Sequence, residues 1–318
     1  MSSHLVLITD IDLPGTDAQD ALEAGGHSVI FGEDPAAHDR AGEVAALMVQ
    51  WKPITAEVMD GLPNLRIISR LGIGCDMIDI DAATERGILV ANTPAYCTEE
   101  VATHTIAMIL AMTRGLTAYD RAVQSGKWSA VTVPPIAGRP SSMVVSVIGF
   151  GRIGSLVAAG CSALGYTVLV SDPLVPAERI RTAGHEPVAL DEAIERADVL
   201  TLHAPLSAET RHMIDARAIA TMKPGSMIVN TCRGALIDDQ ALEGAVRSGH
   251  LGGAALDVFE PEPLEPTSGL RGLDNVLLTP HASWYSPESL IDLPRHAAAN
   301  IVDYFADRPV PAVLNARR

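Results

Sequence analysis

Three side chains suited to handling a carboxylate and a proton stand in short motifs late in the chain. Arg233 lies in Asn230-Thr231-Cys232-Arg233-Gly234, an acid (Asp257, Glu260 or Glu262) in Asp257-Val258-Phe259-Glu260-Pro261-Glu262, and His281 in Thr279-Pro280-His281. An arginine fork binds a carboxylate bidentately and polarises a neighbouring carbonyl. A histidine oriented by an acid is a proton donor and acceptor. Together they suit reduction of a 2-oxo acid to a 2-hydroxy acid. Taken singly, each has a plainer role: a loop-capping arginine, a structural histidine, and solvated charge at Glu260 and Glu262. Their shared context favours chemistry. Each motif ends a short apolar run (SMIVNT, GAALDV, NVLLTPH) that reads as a parallel strand, so one sheet edge would carry all three.

Gly149-Phe150-Gly151-Arg152-Ile153-Gly154 fits G-x-G-x-x-G, follows the apolar run MVVSVI and opens a helix. The first glycine permits a tight turn, the second lets backbone approach a pyrophosphate, and the third lets helix pack on strand. The helix N-terminus offers N–H groups to the phosphates. The next strand ends in Asp172, a carboxylate placed to accept from ribose hydroxyls and to repel a 2′-phosphate. Pro173 and Leu174 supply no cation for that phosphate, although Arg179 and Arg181 follow later. NAD(H) is therefore expected in preference to NADP(H). The plainer alternative is a packing turn followed by an ordinary turn aspartate.

These motifs need parallel sheets to position them. LVLITD, SVIFG, AALMVQW, LRIISRLG and ILVAN read as strands separated by helical sequence, including a short helix over Asp79–Arg86. A second series begins at Met143 and runs through YTVLVSD, VLTLH, SMIVNT, GAALDV and LLTPHASWY. Strands alternating with helices indicate two parallel α/β units. Between the series, Glu99–Met112 reads as one long helix, with Thr98 as its N-cap and apolar residues nearly all round, as at a domain or subunit boundary. Leu116–Ser142, ending VPPIAGRPSS, reads as an irregular excursion. The boundary is expected near Thr98, with the last helix (about Ser286 to Phe305) returning to the first unit. This gives a discontinuous substrate domain, 1–98 plus 286–318, and a dinucleotide domain, 99–285. The function is expected in the cleft between them.

The 318 residues carry 47% hydrophobic content, only 4% aromatics and a formal charge of −16, which suits two helix-on-sheet cores rather than one small core. That charge, without a basic run, argues against a nucleic-acid partner. No apolar stretch of about 18 residues is present to span a membrane, and the N-terminus lacks a secretory pattern. The four cysteines, Cys75, Cys97, Cys161 and Cys232, form no CxxC pair. Neither a disulfide framework nor a metal site is expected, and a reducing cytoplasm is the expected compartment.

At this point the chain resembles the D-2-hydroxyacid dehydrogenase family, through RLGIGCDMIDIDAATERGI, GFGRIG, HAPLSAETRHMI, MKPGSMIVNTCRGALID, GGAALDVFEPEPL and NVLLTPHASW in matching order. The resemblance covers nearly the whole chain. It implies a flavodoxin-like substrate domain in two pieces around a contiguous NAD-binding Rossmann domain. It implies Arg233 on the substrate carboxylate, His281 as acid/base and Glu262 as its partner. Thr231, Cys232, Asp257 and Thr105 would lie toward the nicotinamide, and His203, Ala204 and Pro205 near the adenine or its ribose. Arg70 with the Ile73–Gly74 backbone resembles the substrate-carboxylate loop. The long helix and the excursion after it resemble the dimerisation arm, implying a homodimer through the NAD domain. PHASWYS is most similar to the branch of the C-terminal-binding-protein corepressors, which sets Trp284 against the substrate side chain; a domain-interface anchor is the equal alternative. The chain departs from the family at SSMVVSVIGFG, Cys75 and Cys232. Beside Arg233, Cys232 reads either as an oxidisable thiol or, as expected here, as a small buried hydrophobe.

The expected reaction is NADH-dependent reduction of a 2-oxo acid to the D-2-hydroxy acid. Competing readings are an NAD-sensing corepressor-like scaffold and a dehydrogenase of formate or phosphite; Glu262 argues against the formate type. No Lys/Arg cluster marks the first-domain loops, which disfavours a phosphorylated substrate, while Tyr96, Cys97 and Trp284 suit an apolar or compact side chain. The chain ends at Arg318 soon after its last helix, and no amino-acid-sensing tail is expected.

Overall fold

Unbroken apolar runs become fully buried parallel strands. In the computed structural model, which describes residues 3–131 and 137–315, the chain divides into two units: Met1–Cys97 with Tyr285–Arg318, and Thr98–Trp284. The first unit has five parallel strands, β1 (Leu5–Ile8), β2 (Ser28–Phe31), β3 (Val44–Val49), β4 (Ile67–Arg70) and β5 (Leu89–Ala91), in the order β2-β1-β3-β4-β5. That is the flavodoxin-like order. Every residue of β1, β3 and β4 is buried, which explains why they lack polar alternation. Helices α1 (Asp17–Ala24), α2 (Ala56–Asp60) and α3 (Ile80–Glu85) connect them. Asp79 caps α3 by accepting the Ala82 N–H at 2.9 Å. The C-terminal helix, Pro287–Phe305, starts with a Ser286–Ser289 capping box. It is fastened to β4 by the Ser69 hydroxyl, which donates to the Ala297 carbonyl at 2.8 Å.

The second unit begins with α4 (Thr98–Thr113) and α5 (Leu116–Gln124). Then come β6 (Val144–Ile148), α6 (Arg152–Ala163), β7 (Thr167–Ser171), α7 (Ala177–Thr182), β8 (Glu186–Pro187), α8 (Leu190–Arg196), β9 (Val199–Leu202), α9 (Ala216–Thr221), β10 (Met227–Asn230), α10 (Asp239–Ser248), β11 (Gly253–Leu256) and β12 (Val276–Leu278). The strands form one parallel seven-stranded sheet in the order β12-β11-β10-β9-β6-β7-β8. The winding reverses between β6 and β9, the switch point at which such sheets receive ligands. Alternate residues serve opposite layers: Met227 and Val229 join one core cluster, Ile228 the other.

Four expectations are corrected. The stretch from Leu116 is not irregular throughout: its first nine residues are the helix α5, and Pro140–Ser142 is a short 3-10 turn. Leu116, Tyr119 and Val123 recur at helical spacing, but over only nine residues between Gly115 and Ser125. Residues 132–136 of the excursion lie outside the described residues. Thr98 is the first residue of α4 rather than its cap, and its hydroxyl is buried without a hydrogen-bond partner. Within the chain α4 buries one face, Val101, Ala102, Thr105, Met108, Ile109, Met112 and Thr113, while Thr103 and Ala107 are exposed. β8 was not expected, because Glu186-Pro187 carries no apolar run.

Candidate active site

The glycine turn shows a separate reason for each glycine. Gly149 has φ +98°, and a Cβ there would meet the His203 carbonyl at 2.5 Å. Gly154 lies against the Gly149 carbonyl, so a side chain would force α6 off β6. A Cβ on Gly151 would meet nothing within 4 Å, which leaves the approach to the α6 N-terminus open. Arg152 and Ile153 form the first turn of α6, with Arg152 exposed. Asp172 is fixed at the end of β7, where its carboxylate accepts the Phe150 N–H at 2.7 Å and the Leu174 N–H at 2.8 Å. Leu174 is 89% exposed, an apolar platform beside that carboxylate which sequence reading did not single out. These residues fit a dinucleotide: phosphates at the open helix end and a ribose beside the aspartate.

Across the switch point, the His203 N–H donates to the Ile148 carbonyl at 2.7 Å. Its Nε2 is 3.0 Å from the Thr201 hydroxyl, and burial pushes the imidazole down to about 4, so the ring is neutral. Ala204 follows, and its carbonyl accepts the Cys232 thiol at 2.8 Å; Pro205 is exposed. Thr105 of α4 donates to the Val101 carbonyl at 2.7 Å and sits 2.8 Å from the Thr231 hydroxyl. With the Thr105 proton committed to Val101, Thr231 is the donor of that pair.

The three late motifs are joined in a hydrogen-bonded circuit. Nδ2 of Asn230 donates to the Arg233 carbonyl at 2.8 Å, and Nη1 of Arg233 donates to the Cys232 carbonyl at 2.9 Å. Gly234 lies directly on the Phe259 backbone, a close approach that any Cβ would block. The Phe259 N–H donates to Oε1 of Glu262 at 2.9 Å, and Oε2 of Glu262 is 2.7 Å from Nδ1 of His281. The His281 N–H donates to the Asp257 carbonyl at 2.8 Å, and the Asp257 N–H donates to Asn230 at 2.9 Å, which closes the circuit. Because the Glu262 carboxylate only accepts, Nδ1 of His281 carries the proton, and Nε2 is the ring nitrogen that can give or take one. His281 holds φ +52°, a left-handed conformation kept only where its surroundings fix it.

Asp257 is fully buried. Its carboxylate takes the Thr279 hydroxyl at 2.5 Å and the Ala282 and Ser283 N–H groups at 2.8 and 2.9 Å. It therefore anchors the loop that carries His281, a role not read from sequence. The half-buried Trp284 ends the unit.

In the first unit Arg70 ends β4 and is 3% exposed. Its guanidinium stacks on Trp51 at 5.0 Å and donates to the Leu71 carbonyl. Gly72, at φ +139°, leaves the space that group fills. The following turn is wired by Asn92, which donates to the Ile73 carbonyl at 2.7 Å, and by the Gly72 N–H, which donates to the Thr93 hydroxyl at 2.7 Å. Ile73 and Gly74 are half-buried. The Trp51 backbone is held by the Asp10 carboxylate, which also accepts from the Gln50 and Lys52 N–H groups at 3.1 and 3.0 Å. Trp51 was missed because nothing in its local sequence marks it; the pairing with Arg70 is non-local. Among the described residues no group of three or more His, Cys, Asp or Glu side chains is arranged for a metal, and no helix is long and apolar enough to cross a membrane.

A doubly wound sheet with a glycine turn at its switch point and an Arg–Glu–His circuit on the same sheet defines a dinucleotide-binding α/β protein equipped for acid–base chemistry. Residues 106–283 match the family model described as D-isomer specific 2-hydroxyacid dehydrogenase, NAD binding domain. The chain is 40% identical over 262 residues to D-3-phosphoglycerate dehydrogenase of Archaeoglobus fulgidus, covering 82% of this chain and 49% of that one. It is 36% identical over 269 residues to glyoxylate reductase of Korarchaeum cryptofilum, covering 83% and 80%. Among solved structures it is similar to D-lactate dehydrogenase from Aquifex aeolicus, in complex with NAD and lactic acid, with TM-score 0.89, 28% identity and coverage of 99% and 100%. The chain belongs to the D-isomer specific 2-hydroxyacid dehydrogenase family. It spans about half the length of the phosphoglycerate dehydrogenase that it matches.

Proposed function

We propose that this chain is a dehydrogenase that reduces a small 2-oxo acid to the D-2-hydroxy acid with NADH. The observation that carries the reading is the Glu262–His281 pair at 2.7 Å, tied through Gly234 and Asn230 to Arg233. Arg233 binds the substrate carboxylate and draws electron density from the carbonyl. His281 gives its Nε2 proton to the carbonyl oxygen while Glu262, on Nδ1, stabilises and orients the imidazolium. Bound NADH supplies the hydride from nicotinamide C4. Thr105, Thr231, Cys232 and Asp257 serve the nicotinamide end, and Gly149, Gly151, Arg152, Ile153 and Gly154 the pyrophosphate. Asp172, His203, Ala204 and Pro205 serve the adenosine. In the first unit Arg70 with the Ile73–Gly74 turn is a carboxylate-binding loop, and in the second Trp284 is a substrate residue.

NAD(H) is preferred to NADP(H) because Asp172 would face a 2′-phosphate, and Pro173 and Leu174 after it carry no cation. The chain works as a homodimer: α5 has no buried residue in the single chain, and Trp128 and Val131 after it are 90% and 91% exposed. With no disulfide among Cys75, Cys97, Cys161 and Cys232, a reducing cytoplasm suits it.

The test is NADH consumption with glyoxylate, pyruvate, hydroxypyruvate, phenylpyruvate and 2-oxoisocaproate, with NADPH in parallel. At least one acid should be reduced, and His281→Ala should lose roughly 100-fold or more in kcat while still binding NADH. Near-normal turnover in that variant, or no turnover of any acid despite tight NADH binding, overturns the reading.

A further inference from the structure

The carboxylate that orients His281 sits on a loop, and the loop is held from two sides. On the inner side are the contacts already given, Gly234 under Phe259 and the Phe259 N–H on Glu262. On the outer side is Glu260, one residue from Phe259 and two from Glu262. Its Oε1 accepts from Nη2 of Arg211 at 2.7 Å, and its Oε2 lies 3.4 Å from Nε2 of His212. Its backbone lies close to the Asp239 carboxylate. None of these four residues takes part in the chemistry described above.

The partners of Glu260 are themselves fixed. The Arg211 N–H donates to the Ser207 carbonyl at 3.0 Å, and the His212 N–H to the Ala235 carbonyl at 2.8 Å. His212 holds φ +51°, a left-handed backbone that persists only where the surrounding structure determines it. Asp239 opens α10, just after the Arg233–Leu236 segment. Burial, with the Glu260 and Asp238 carboxylates close by, pushes its carboxyl up to about 6. Placing a half-buried carboxylate beside another is unfavourable by itself. Glu260 thus joins the acid loop to the turn after β9 and to the segment after Arg233.

We propose that Glu260 is a positioning residue: by bridging Arg211 and His212 it sets the 259–262 loop so that Glu262 stays on Nδ1 of His281. The inference rests on the reading of Glu262 and His281 as the acid–base pair. Exposed ion pairs contribute little to global stability, but small displacements of catalytic groups cost large factors in rate. Glu260 should therefore act on kcat rather than on folding.

The experiment is steady-state kinetics of the full chain with NADH and the fastest of the five acids above. Glu260→Ala should lower kcat about tenfold, with KM, NADH affinity and the thermal midpoint close to wild type. Glu260→Gln, which still accepts from Arg211, should recover most of that loss. In a Glu262→Gln background Glu260→Ala should have no further effect, because the group it positions is gone. A wild-type kcat for Glu260→Ala, a loss confined to KM, or an undiminished loss in the Glu262→Gln background overturns the proposal. Should Glu260→Ala not fold, Arg211→Ala carries the same tests. His281→Ala is run alongside. If it is inactive while Glu260→Ala is unimpaired, only this inference falls; if it is fully active, or wild type reduces none of the acids, the underlying reading falls and this inference with it.

Discussion

At the scale of single residues, Asp257 distinguishes a side chain that touches a reacting group from one that places it. Its buried carboxylate receives three donors from Thr279, Ala282 and Ser283, and its carbonyl receives the His281 N–H. Asp257→Asn keeps the shape but sets an amide N–H against at least one of those buried donors. Leaving a buried donor unsatisfied costs about 1–3 kcal/mol. The expected outcome is a lower unfolding midpoint together with a fall in kcat of about tenfold or more, since the His281 loop loses its anchor. Thermal unfolding and steady-state kinetics on the same preparation check it. An unchanged midpoint and kcat would show that the carboxylate is not the anchor.

At the scale of elements, the circuit depends on loops brought together from separate strands, and Gly234 is where two of them meet. Gly234→Ala should push the Phe259 backbone away and with it Glu262, lowering kcat roughly 100-fold while NADH still binds. Gly244→Ala is the control: it lies in α10 and its Cβ would meet nothing within 4 Å, so it should be neutral or slightly stabilising. Equal kinetics in the two variants would remove the steric argument. Gly234 also marks how far sequence reading reaches. The long apolar runs and the glycine turn were legible because strand burial and the phosphate turn are local patterns, and Arg233 and His281 stood out as residues just past a strand, whereas Glu262 was separated from Asp257 and Glu260 only by the family resemblance. β8 was not, since a two-residue edge strand of Glu186 and Pro187 has no apolar run. α5 was obscured because it is only nine residues long and its apolar side, Leu116, Tyr119 and Val123, buries nothing within the chain. The contacts of Thr105 with Thr231, Gly234 with Phe259, and Arg70 with Trp51 arise from approaches between distant segments that no local pattern records.

At the scale of the whole molecule, two sets of titrating groups oppose one another. Burial lowers the pKa of His4, His27 and His185 below 6.5, and brings His203 down to about 4. The folded state holds these rings neutral. Their contribution is therefore complete above pH 6.5 and is lost as the pH falls below that value, when the unfolded chain takes up protons first. Asp239 acts in the opposite sense. Its folded pKa is raised from 3.8 to about 6, so its ionised form costs stability above pH 6, and this cost is relieved as the pH falls toward 3.8. His203 and Asp239 thus act in opposite senses as the pH falls, and His4, His27 and His185 act in the sense of His203. Asp239→Asn keeps the shape of the side chain and removes the carboxylate. It should raise the unfolding midpoint at pH 8, by about 1 kcal/mol once screening by water is allowed for, and should steepen the decline between pH 6.5 and 4. Denaturation midpoints across that range decide it; an equal midpoint at pH 8 would mean that the ionised carboxylate carries no cost.

The central claim, that this sheet edge delivers hydride and proton to a 2-oxo acid, is tested most directly by following the hydrogen itself. NADH carrying deuterium at the transferred C4 position is incubated with the protein and the best 2-oxo acid in ordinary water, and the product is examined for label position and configuration. The account predicts one deuterium at C2 of a D-2-hydroxy acid, with the hydroxyl proton drawn from water through His281. Consumption of NADH without label at C2, or an L-configured product, would contradict it.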